Sequence, residues 1–458
     1  MKYIIKKYYL LLIPAMLLAT GCDSKLDVLP TASIDEKVAL GTSKDVEVTL
    51  IGCYDGLQDT DVYGGGFQVT AELLAAGTEL LFGGTYSNLL ELYNKTITTS
   101  NSSALNTWTD SYNTINRANN VLSALTIVDE DKRAKVEGEA LFIRGSLYFE
   151  LVKLYAKTWG DGDNAANPGV PIVLTPTRGI SEEDNRARNS VAEVYAQALA
   201  DLTKAKSLLP VSNGIYATKN AATAQLSRLY LMQGNYAAAR DAANEVIAAG
   251  TYSLEPAFSS NFFTFLNNGG ANPDEYIFSI VVTQQDGTNA MNTYFGSTIT
   301  TIPGTSGRGD IRISAAHRLL YEAGDVRGAF FITPSNNTFT RKHLDTFGNV
   351  LIFRLAEMYL TRAEANFRLG TVVGATPLAD LNVIRTRAGL AAATTATLES
   401  ILKERHLELA FEGQNLHDIK RNKQSVGTFP YNSPKLILPI PQRETDVNTK
   451  LTQNEGYN

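Results

Sequence analysis

Apolar side chains recur at intervals of three and four residues over much of the chain, which is the pattern of amphipathic α-helices. The pattern is clearest in four runs, residues 44–57, 111–125, 136–155 and 191–209. Pro210 and the Gly160-Asp161-Gly162-Asp163 segment end two of these runs. Within 136–155, we expect the charged side chains of Glu137, Glu139 and Lys153 to remain exposed.

Two further segments resemble helix hairpins of the tetratricopeptide type. In 221–250 an apolar helix, a Gly234-Asn235-Tyr236 turn and an alanine-rich helix follow one another, and a similar pattern returns over 351–390. Such repeats bury their apolar faces only by stacking on neighbours. The sequence therefore predicts a mostly α-helical, tetratricopeptide-like scaffold, with helix pairs near 111–157, 190–250 and 351–390.

The stretch 251–345 has a different composition, rich in Gly, Thr, Ser, Asn and aromatic residues. Its one strand-like run is 276–282. Long irregular segments within compact proteins are usually functional. We therefore predict a large loop-rich insert with minor β structure, and we expect it to take part in binding.

The N-terminus has the pattern of a lipoprotein export signal. Lysines at positions 2, 6 and 7 precede an apolar segment over 8–19, and Leu18-Ala19-Thr20-Gly21-Cys22 matches a lipobox. The pattern predicts a signal peptide over 1–21, acylation of Cys22 and a polar tether over 22–31. An ordinary secretory signal is the alternative, whereas the apolar segment is short for a membrane span, which needs about 20 residues.

Composition and charge restrict the class of the remaining chain. Of 458 residues, 44% are hydrophobic and 19% charged, so we expect one folded domain over 22–458. The net charge of −6 and the lack of a long basic run argue against nucleic acid as a partner. Cys53 lies in an apolar run and is predicted to be a small buried hydrophobic residue.

No motif predicts catalysis. The HExxH, GxSxG and GxxxxGK patterns are missing from the sequence, and its four histidines are scattered. Glu404, Glu408 and Glu412 are spaced by four residues, which could provide acid/base carboxylates, but Arg405 and Arg421 nearby favour a salt-linked packing face. We therefore predict a protein that is not an enzyme and holds no catalytic metal.

A partial resemblance to a calcium loop occurs at Asp161-Gly162-Asp163-Asn164, because alternating oxygen ligands suit a hard cation. The following positions lack the bidentate glutamate that completes such a loop. A solvated turn is the favoured interpretation, and no cofactor is predicted.

Further blocks occur in order along nearly the whole chain. They are Leu26-Asp27 with Pro30-Thr31, Trp108 and Tyr112 with 115–119, GEALFIRGSLYFELVKLYAKTWG at 138–160, 169–171, Asp325 with Arg327, FRLAEMYLTRAEAN at 353–366, ILKERHLELAFEGQNLHDIKR at 401–421 and LPIPQRETDVNTKLTQNEGY at 438–457. Together they resemble the SusD/RagB family of outer-membrane nutrient-binding lipoproteins. The last two blocks fall in the C-terminal region 397–458, which the resemblance includes in the same domain.

The resemblance implies a helical scaffold with a loop-rich face that binds oligosaccharide or, in some members, peptide. It also implies a lipid-anchored protein at the cell surface, which acts as a hinged lid on a SusC-like TonB-dependent β-barrel transporter. No catalysis is implied. Two other functions stay open: a lipoprotein glycosidase, and a pure interaction scaffold that binds polypeptide on a concave helical surface.

Candidate ligand contacts follow from the chemistry of sugars. Sugar rings present apolar C–H faces that stack on aromatic planes, and their hydroxyls need Asn, Asp, Gln or Arg partners. Two loop-rich regions offer both, 63–67 with 82–88 and the insert, and glycines in the first are expected to let the backbone approach a ligand. The predicted binding residues are Tyr63, Phe67, Tyr86, Asn88, Asn292, Tyr294, Phe295, Arg308 and Asp310.

Overall fold

The computed structural model describes residues 40–179 and 182–457. The predicted signal peptide 1–21, Cys22 and the tether 22–31 lie outside these residues. Sixteen α-helices occur in the described part of the chain, with few short strands. None of these helices combines the length and the apolar character required to cross a bilayer.

The first half of the described chain is almost entirely helical. Its elements are α1 (Ser43–Gln58), α2 (Gly66–Ala75), β1 (Leu80–Phe82), α3 (Ser87–Asn94), α4 (Ser102–Ser123), α5 (Glu130–Tyr155), α6 (Val191–Leu208), α7 (Lys219–Met232) and α8 (Tyr236–Ala248). Polar caps set several of these boundaries: Ser190 and Glu193 form a capping box at the start of α6.

The second half mixes short strands and helices before it returns to longer helices. Its elements are α9 (Thr264–Asn268), β2 (Tyr276–Ile280), α10 (Ala290–Phe295), β3 (Ile311–Ile313), α11 (Ala315–Arg318), β4 (Phe331–Ile332), β5 (Phe339–Thr340), β6 (Val350–Arg354), α12 (Leu355–Leu369), α13 (Pro377–Arg387), α14 (Leu398–Glu408), α15 (Asn415–Arg421) and α16 (Gln442–Val447).

Neighbouring helices pack in sequence to form a continuous array. Helices α4, α5, α6, α7 and α8 each contact the next, and α8 packs on α12, which in turn contacts α13 and α14. This arrangement agrees with the predicted mostly helical scaffold. The strongest departure from an amphipathic pattern is α5, where every residue from Gly138 to Tyr155 is buried.

The prediction that the charged residues of α5 are exposed was wrong for Glu139 and Lys153, which are both buried. Lys153 is paired with Glu150 at 2.8 Å and its ammonium lies 4.6 Å from the centroid of the Phe149 ring. Glu139 accepts a hydrogen bond from Asn213. These partners compensate for the loss of water around each charge.

The predicted burial of Cys53 is confirmed.

Two antiparallel strand pairs attach the insert to the rest of the molecule, and a third lies within the insert. β1 pairs with β3, β2 with β6, and β4 with β5. The pairing of β2 with β6 corrects the start of the helical run predicted over 351–390, because residues 350–354 form a strand and the helix begins at Leu355. A short run of buried apolar residues fits either structure, so its periodicity could not decide between them.

Charged side chains form a buried network where β6 meets the C-terminal helices. The Arg354 guanidinium contacts Glu275 at 2.9 Å, Glu408 at 2.5 Å and Glu412 at 2.9 Å. Arg387 also pairs with Glu275 and Glu408. The prediction that the glutamates form ion pairs is confirmed, but their partners are not Arg405 and Arg421. Glu412 also lies beyond the end of α14, not on the same helix as Glu408.

Candidate functional site

An open cleft lies where the insert meets the first helices of the scaffold. It encloses about 400 Å³ and is lined by the beginnings of α2, α3 and α4 and by α10. Its side chains include Asp61, Tyr86, Asn88, Asn106, Thr293 and Tyr294. We call this region the aromatic cleft. It brings the two predicted binding regions, which are about 200 residues apart in the sequence, to one place.

Two tyrosines form one side of the aromatic cleft, and an arginine lies against one of them. Tyr86 is 45% exposed, and its ring meets that of Tyr294 edge to face, with centroids 6.1 Å apart. The guanidinium of Arg308 lies 4.4 Å from the centroid of the Tyr86 ring and donates to Asp310 at 2.8 Å. This ion pair holds Arg308 against the ring, a geometry that favours a cation–π contact. The arrangement presents an aromatic plane beside polar groups.

Polar side chains form the other side of the aromatic cleft. Asn88 donates to the Ser103 hydroxyl at 2.7 Å, and Asn106 donates to the Asp61 carboxylate at 3.2 Å. Burial, together with the nearby Asp59 carboxylate, raises the pKa of Asp61 to about 6, although the hydrogen bond from Asn106 opposes this shift. Asp61 therefore titrates close to neutral pH and can offer a hydrogen-bond acceptor to a hydroxyl group.

Gly64 and Gly65 lie where the turn before α2 closely approaches α10. A Cβ atom at Gly65 would lie 2.7 Å from the backbone nitrogen of Met291 in α10, and the residue has a φ of +117°. The amide of Ala290 donates to the carbonyl of Gly64 at 2.8 Å. These two glycines let the turn approach another part of the backbone, whereas Gly66 lines the aromatic cleft.

Five of the predicted binding residues lie in the interior. Phe67 belongs to α2, and Asn292 and Phe295 belong to α10, so these positions are helical rather than loops. The side chains of these three, and those of Tyr63 and Asp310, are buried. Their surroundings give them structural roles, and none of the five lines the aromatic cleft.

The contacts of these residues show what they hold in place. The Tyr63 hydroxyl donates to Glu150 at 3.1 Å, and the Asn292 amide donates to the carbonyls of Ser306, His343, Leu344 and Asp345. The Phe295 ring packs against His343 and Phe411. Asn292 thus ties α10 to Ser306 and to the segment 343–345, because its amide contacts backbone carbonyls in both.

Among the six side chains named for the aromatic cleft, three were not predicted from the sequence: Asp61, Asn106 and Thr293. Asp61 precedes the Gly-rich run, and Thr293 lies between two predicted residues. Asn106 lies in the first turns of α4, where a polar residue is typical of any exposed helix face. Its sequence carries no signal for binding, since only the tertiary structure brings it to Asp61.

A larger cavity of about 950 Å³ lies elsewhere on the insert, next to Phe258, Phe263, Phe330, Arg341 and Arg387. The rings of Phe258, Phe262 and Phe330 pack on one another with centroids 5.3 to 5.6 Å apart. These rings are used mainly in contacts with each other. The aromatic cleft is therefore the better candidate site, because there an exposed ring lies beside hydrogen-bonding groups.

Two family models match the chain. One, described as "Starch-binding associating with outer membrane", matches residues 26–231, and the other, described as "SusD family", matches residues 330–433. The chain belongs to the SusD/RagB family. The descriptions of this family and of its relatives concern binding rather than catalysis, and they associate the family with the outer membrane.

Relatives of the SusD/RagB family match most of the chain. SusD-like protein P2 of Formosa agariphila is 26% identical to this chain over an alignment of 521 residues. The alignment covers 99% of this chain and 100% of the relative. The starch-binding protein SusD of Bacteroides thetaiotaomicron is 33% identical over 128 residues, covering 24% of this chain and 22% of that protein. A crystal structure of a Bacteroides vulgatus protein, provisionally named a sugar-binding protein, has a TM-score of 0.79 and 28% identity, with 91% of this chain and 99% of that chain covered.

Proposed function

We propose that this protein binds oligosaccharide or polysaccharide fragments in the aromatic cleft and delivers them to a SusC-like TonB-dependent transporter for nutrient uptake. The observation that supports the binding step is the exposed ring of Tyr86, which lies beside Tyr294 and Arg308. The description of the family as starch-binding supports a glycan as the ligand class.

The geometry of the cleft is suitable for a sugar chain. A pyranose ring that stacks on Tyr86 brings its hydroxyls near Asn88, Asn106 and Asp61, which line the same cleft. The side-chain amides can both donate to and accept from such hydroxyls, and an ionised carboxylate accepts from them. Stacking supplies apolar contact, and the polar groups orient the ring.

We expect modest affinity, because an open cleft with two tyrosines buries only part of a ligand. Dissociation constants between micromolar and millimolar correspond to about −8 to −4 kcal/mol. Such affinity is suitable for a protein that releases its ligand to a partner.

The binding step is tested by calorimetric titration of the purified protein with starch-derived and laminarin-derived oligosaccharides. We expect binding of at least one of them, and Tyr86→Ala should weaken it roughly tenfold because the stacking surface is lost. Tyr294→Ala should have a smaller effect, since Tyr294 supports the edge of the Tyr86 ring.

Tyr236→Ala is the matched control for this experiment. Tyr236 also stacks against an arginine, with the Arg368 guanidinium 4.8 Å from the ring centroid, but it lies at the start of α8, outside the aromatic cleft. This variant should bind the glycan as well as the wild type does. Equal binding by Tyr86→Ala, Tyr294→Ala and Tyr236→Ala would disprove the site, and binding of oligopeptides alone would disprove the ligand class.

The delivery step includes a lipid anchor at Cys22. The lipobox Leu18-Ala19-Thr20-Gly21-Cys22 supports acylation, and the family's association with the outer membrane supports the location. Cells that express the protein should incorporate labelled palmitate into it, and Cys22→Ala should lose both the label and the membrane fraction. Affinity purification from the native outer membrane should recover a TonB-dependent β-barrel, and its absence would argue against the transporter partner.

A further inference from the structure

A cluster of one glutamate and two histidines lies outside the aromatic cleft. The His317 Nδ1 atom is 2.6 Å from the Glu79 Oε2 atom, and the His406 Nε2 atom is 2.8 Å from the same oxygen. The three ligand atoms all lie within 4.8 Å of one another. We call this group the Glu-His-His cluster, and nothing in the glycan-binding function requires it.

We propose that the Glu-His-His cluster is a binding site for a divalent transition metal ion such as Zn²⁺. Two imidazole nitrogens and one carboxylate oxygen form a common ligand set for zinc, which binds nitrogen and oxygen at about 2.0–2.2 Å. Atoms bound to one tetrahedral zinc ion at these distances lie about 3.3–3.6 Å apart, so the Glu79 oxygen would move away from each imidazole nitrogen by about 0.5–1 Å. Imidazole ligands disfavour calcium and magnesium, which prefer oxygen.

The surrounding structure holds these ligands in position. Ser314 joins the segment around Glu79 to α11. Its hydroxyl accepts from the amide of His317, which caps α11, and donates to the Thr78 carbonyl at 2.6 Å. The Ser314 amide donates to the Glu79 carbonyl at 3.0 Å, so Glu79 and His317 are held together through Ser314. On the far side of the imidazole, the His317 Nε2 atom is 3.1 Å from the Tyr321 hydroxyl, a contact of the kind that orients metal-bound histidines.

The cluster is closed on one side and open on the other. His317 is fully buried, and its ring packs on those of Phe331 and Phe411, with centroids 6.0 and 4.7 Å away. The side chains of Glu79 and His406 are 31% and 24% exposed. A metal ion can therefore enter from solvent and keep a position for water, which is typical of sites with three protein ligands.

Bound metal would connect three separate parts of the chain. Glu79 precedes β1, His317 belongs to α11, just after β3, and His406 belongs to α14. Because β1 pairs with β3, the ion would fasten this strand pair to the C-terminal helices. The same strand pair leads on one side to Tyr86 and is preceded on the other by Arg308.

The test is zinc titration of the purified protein after removal of metals with a chelator, using an affinity tag that contains no histidine. We expect one Zn²⁺ per chain and a higher Tm in the presence of zinc. His406→Ala and Glu79→Gln should each weaken zinc binding more than about 100-fold, and Tyr321→Phe about tenfold, because loss of an orienting group typically costs 10 to 100-fold. Cobalt should give the visible absorption of a low-coordinate site in the wild type but not in His406→Ala.

Asp59→Asn is the control, because Asp59 belongs to a separate group of acidic residues with Asp61 and Asp110. This variant should bind zinc as the wild type does. His406 and Glu79 are partly exposed, so their variants are expected to fold, which circular dichroism checks. A wild-type protein that binds no zinc, or equal zinc binding by wild type, His406→Ala and Glu79→Gln, would overturn the proposal.

Discussion

Arg354 and Arg308 both pair with carboxylates, but their surroundings differ. Arg354 is 1% exposed and contacts three glutamates, whereas Arg308 is 40% exposed, pairs with Asp310 alone and lies over the ring of Tyr86. Within the buried network every charge depends on its partners, because water cannot replace them. At the aromatic cleft water can hydrate the exposed Arg308 guanidinium after the loss of its partner, whereas Asp310 is buried. The comparison separates residues that hold the fold from those available to a ligand.

Removing the cation from the buried network should have the largest effect. In Arg354→Met the carboxylates of Glu275, Glu408 and Glu412 lose a shared partner. Arg387 and Lys342 still contact them, but removal of one partner from a buried ion pair typically costs about 3–5 kcal/mol. We expect the free energy of unfolding, measured by denaturant titration, to fall by that amount. A loss under about 1 kcal/mol would mean that the network behaves like a surface ion pair.

A fall in pH should weaken the contribution of the buried network to stability and strengthen that of Asp61 in the aromatic cleft. Nearby arginines, chiefly Arg387 and Arg354, hold the pKa of Glu408 well below its usual range despite burial. A lowered pKa contributes stability that is present above about pH 4.3 and is lost as the pH falls further. The pKa of Asp61 is raised to about 6. Its contribution to the free energy of unfolding is therefore most favourable below about pH 4 and is lost as the pH rises through 6.

Asp61→Asn measures how the carboxylate of Asp61 in the aromatic cleft affects stability. At pH 7 the variant avoids the cost of an ionised, partly buried carboxylate, so we expect a gain of about 1–2 kcal/mol in the free energy of unfolding after allowance for solvent screening. The gain should disappear near pH 4, where Asp61 is protonated. Thermal or denaturant unfolding at both pH values measures it.

Asp55→Asn serves as the control for Asp61→Asn. Asp55 forms an exposed ion pair with Arg117 at 3.3 Å, and its side chain is 75% exposed. Its replacement should leave stability nearly unchanged at both pH values. If the two variants behave alike, the difference in burial between the two aspartates does not control their contributions.

Arg308→Ala should have the smallest effect on stability and a clear effect on binding. Arg308 is exposed, but its partner Asp310 is buried, so we expect a small fall in the free energy of unfolding, well below that of Arg354→Met. Denaturant titration measures this difference. Glycan affinity should fall several-fold, because the Tyr86 ring loses the cation that supports it. A loss of stability as large as that of Arg354→Met, with normal binding, would reverse the roles assigned to the two arginines.

The helical part of this fold could be predicted from periodicity, and the partners of its charges could not. The predicted run 191–209 corresponds to a helix over Val191–Leu208, because a buried stripe repeats every 3.6 residues. Arg354 and Glu412, by contrast, are separated by 58 positions and meet only through β6 and the C-terminal turn. No local pattern carries such a pairing.

The candidate site was predictable in part. Tyr86, Asn88 and Tyr294 line the aromatic cleft, and Arg308 lies against it, since aromatic and amide residues between glycines indicate a binding loop. Phe67 and Phe295 share that composition but are buried, because an aromatic ring fills a crease in the fold as readily as it meets a ligand. Only tertiary structure separates these two uses.

The contact between Gly65 and Met291 has a consequence for how this protein can diversify. It joins the turn before α2 to α10 through backbone atoms, so the spacing between these two sides of the aromatic cleft does not depend on the side chains that face the ligand. Under the proposed glycan-binding function, replacements at Tyr86, Asn88 or Asn106 would alter which sugar is recognised while the cleft keeps its width. Evolution toward a new ligand would then change the residues that line the cleft and leave the backbone contact between the turn before α2 and α10 intact.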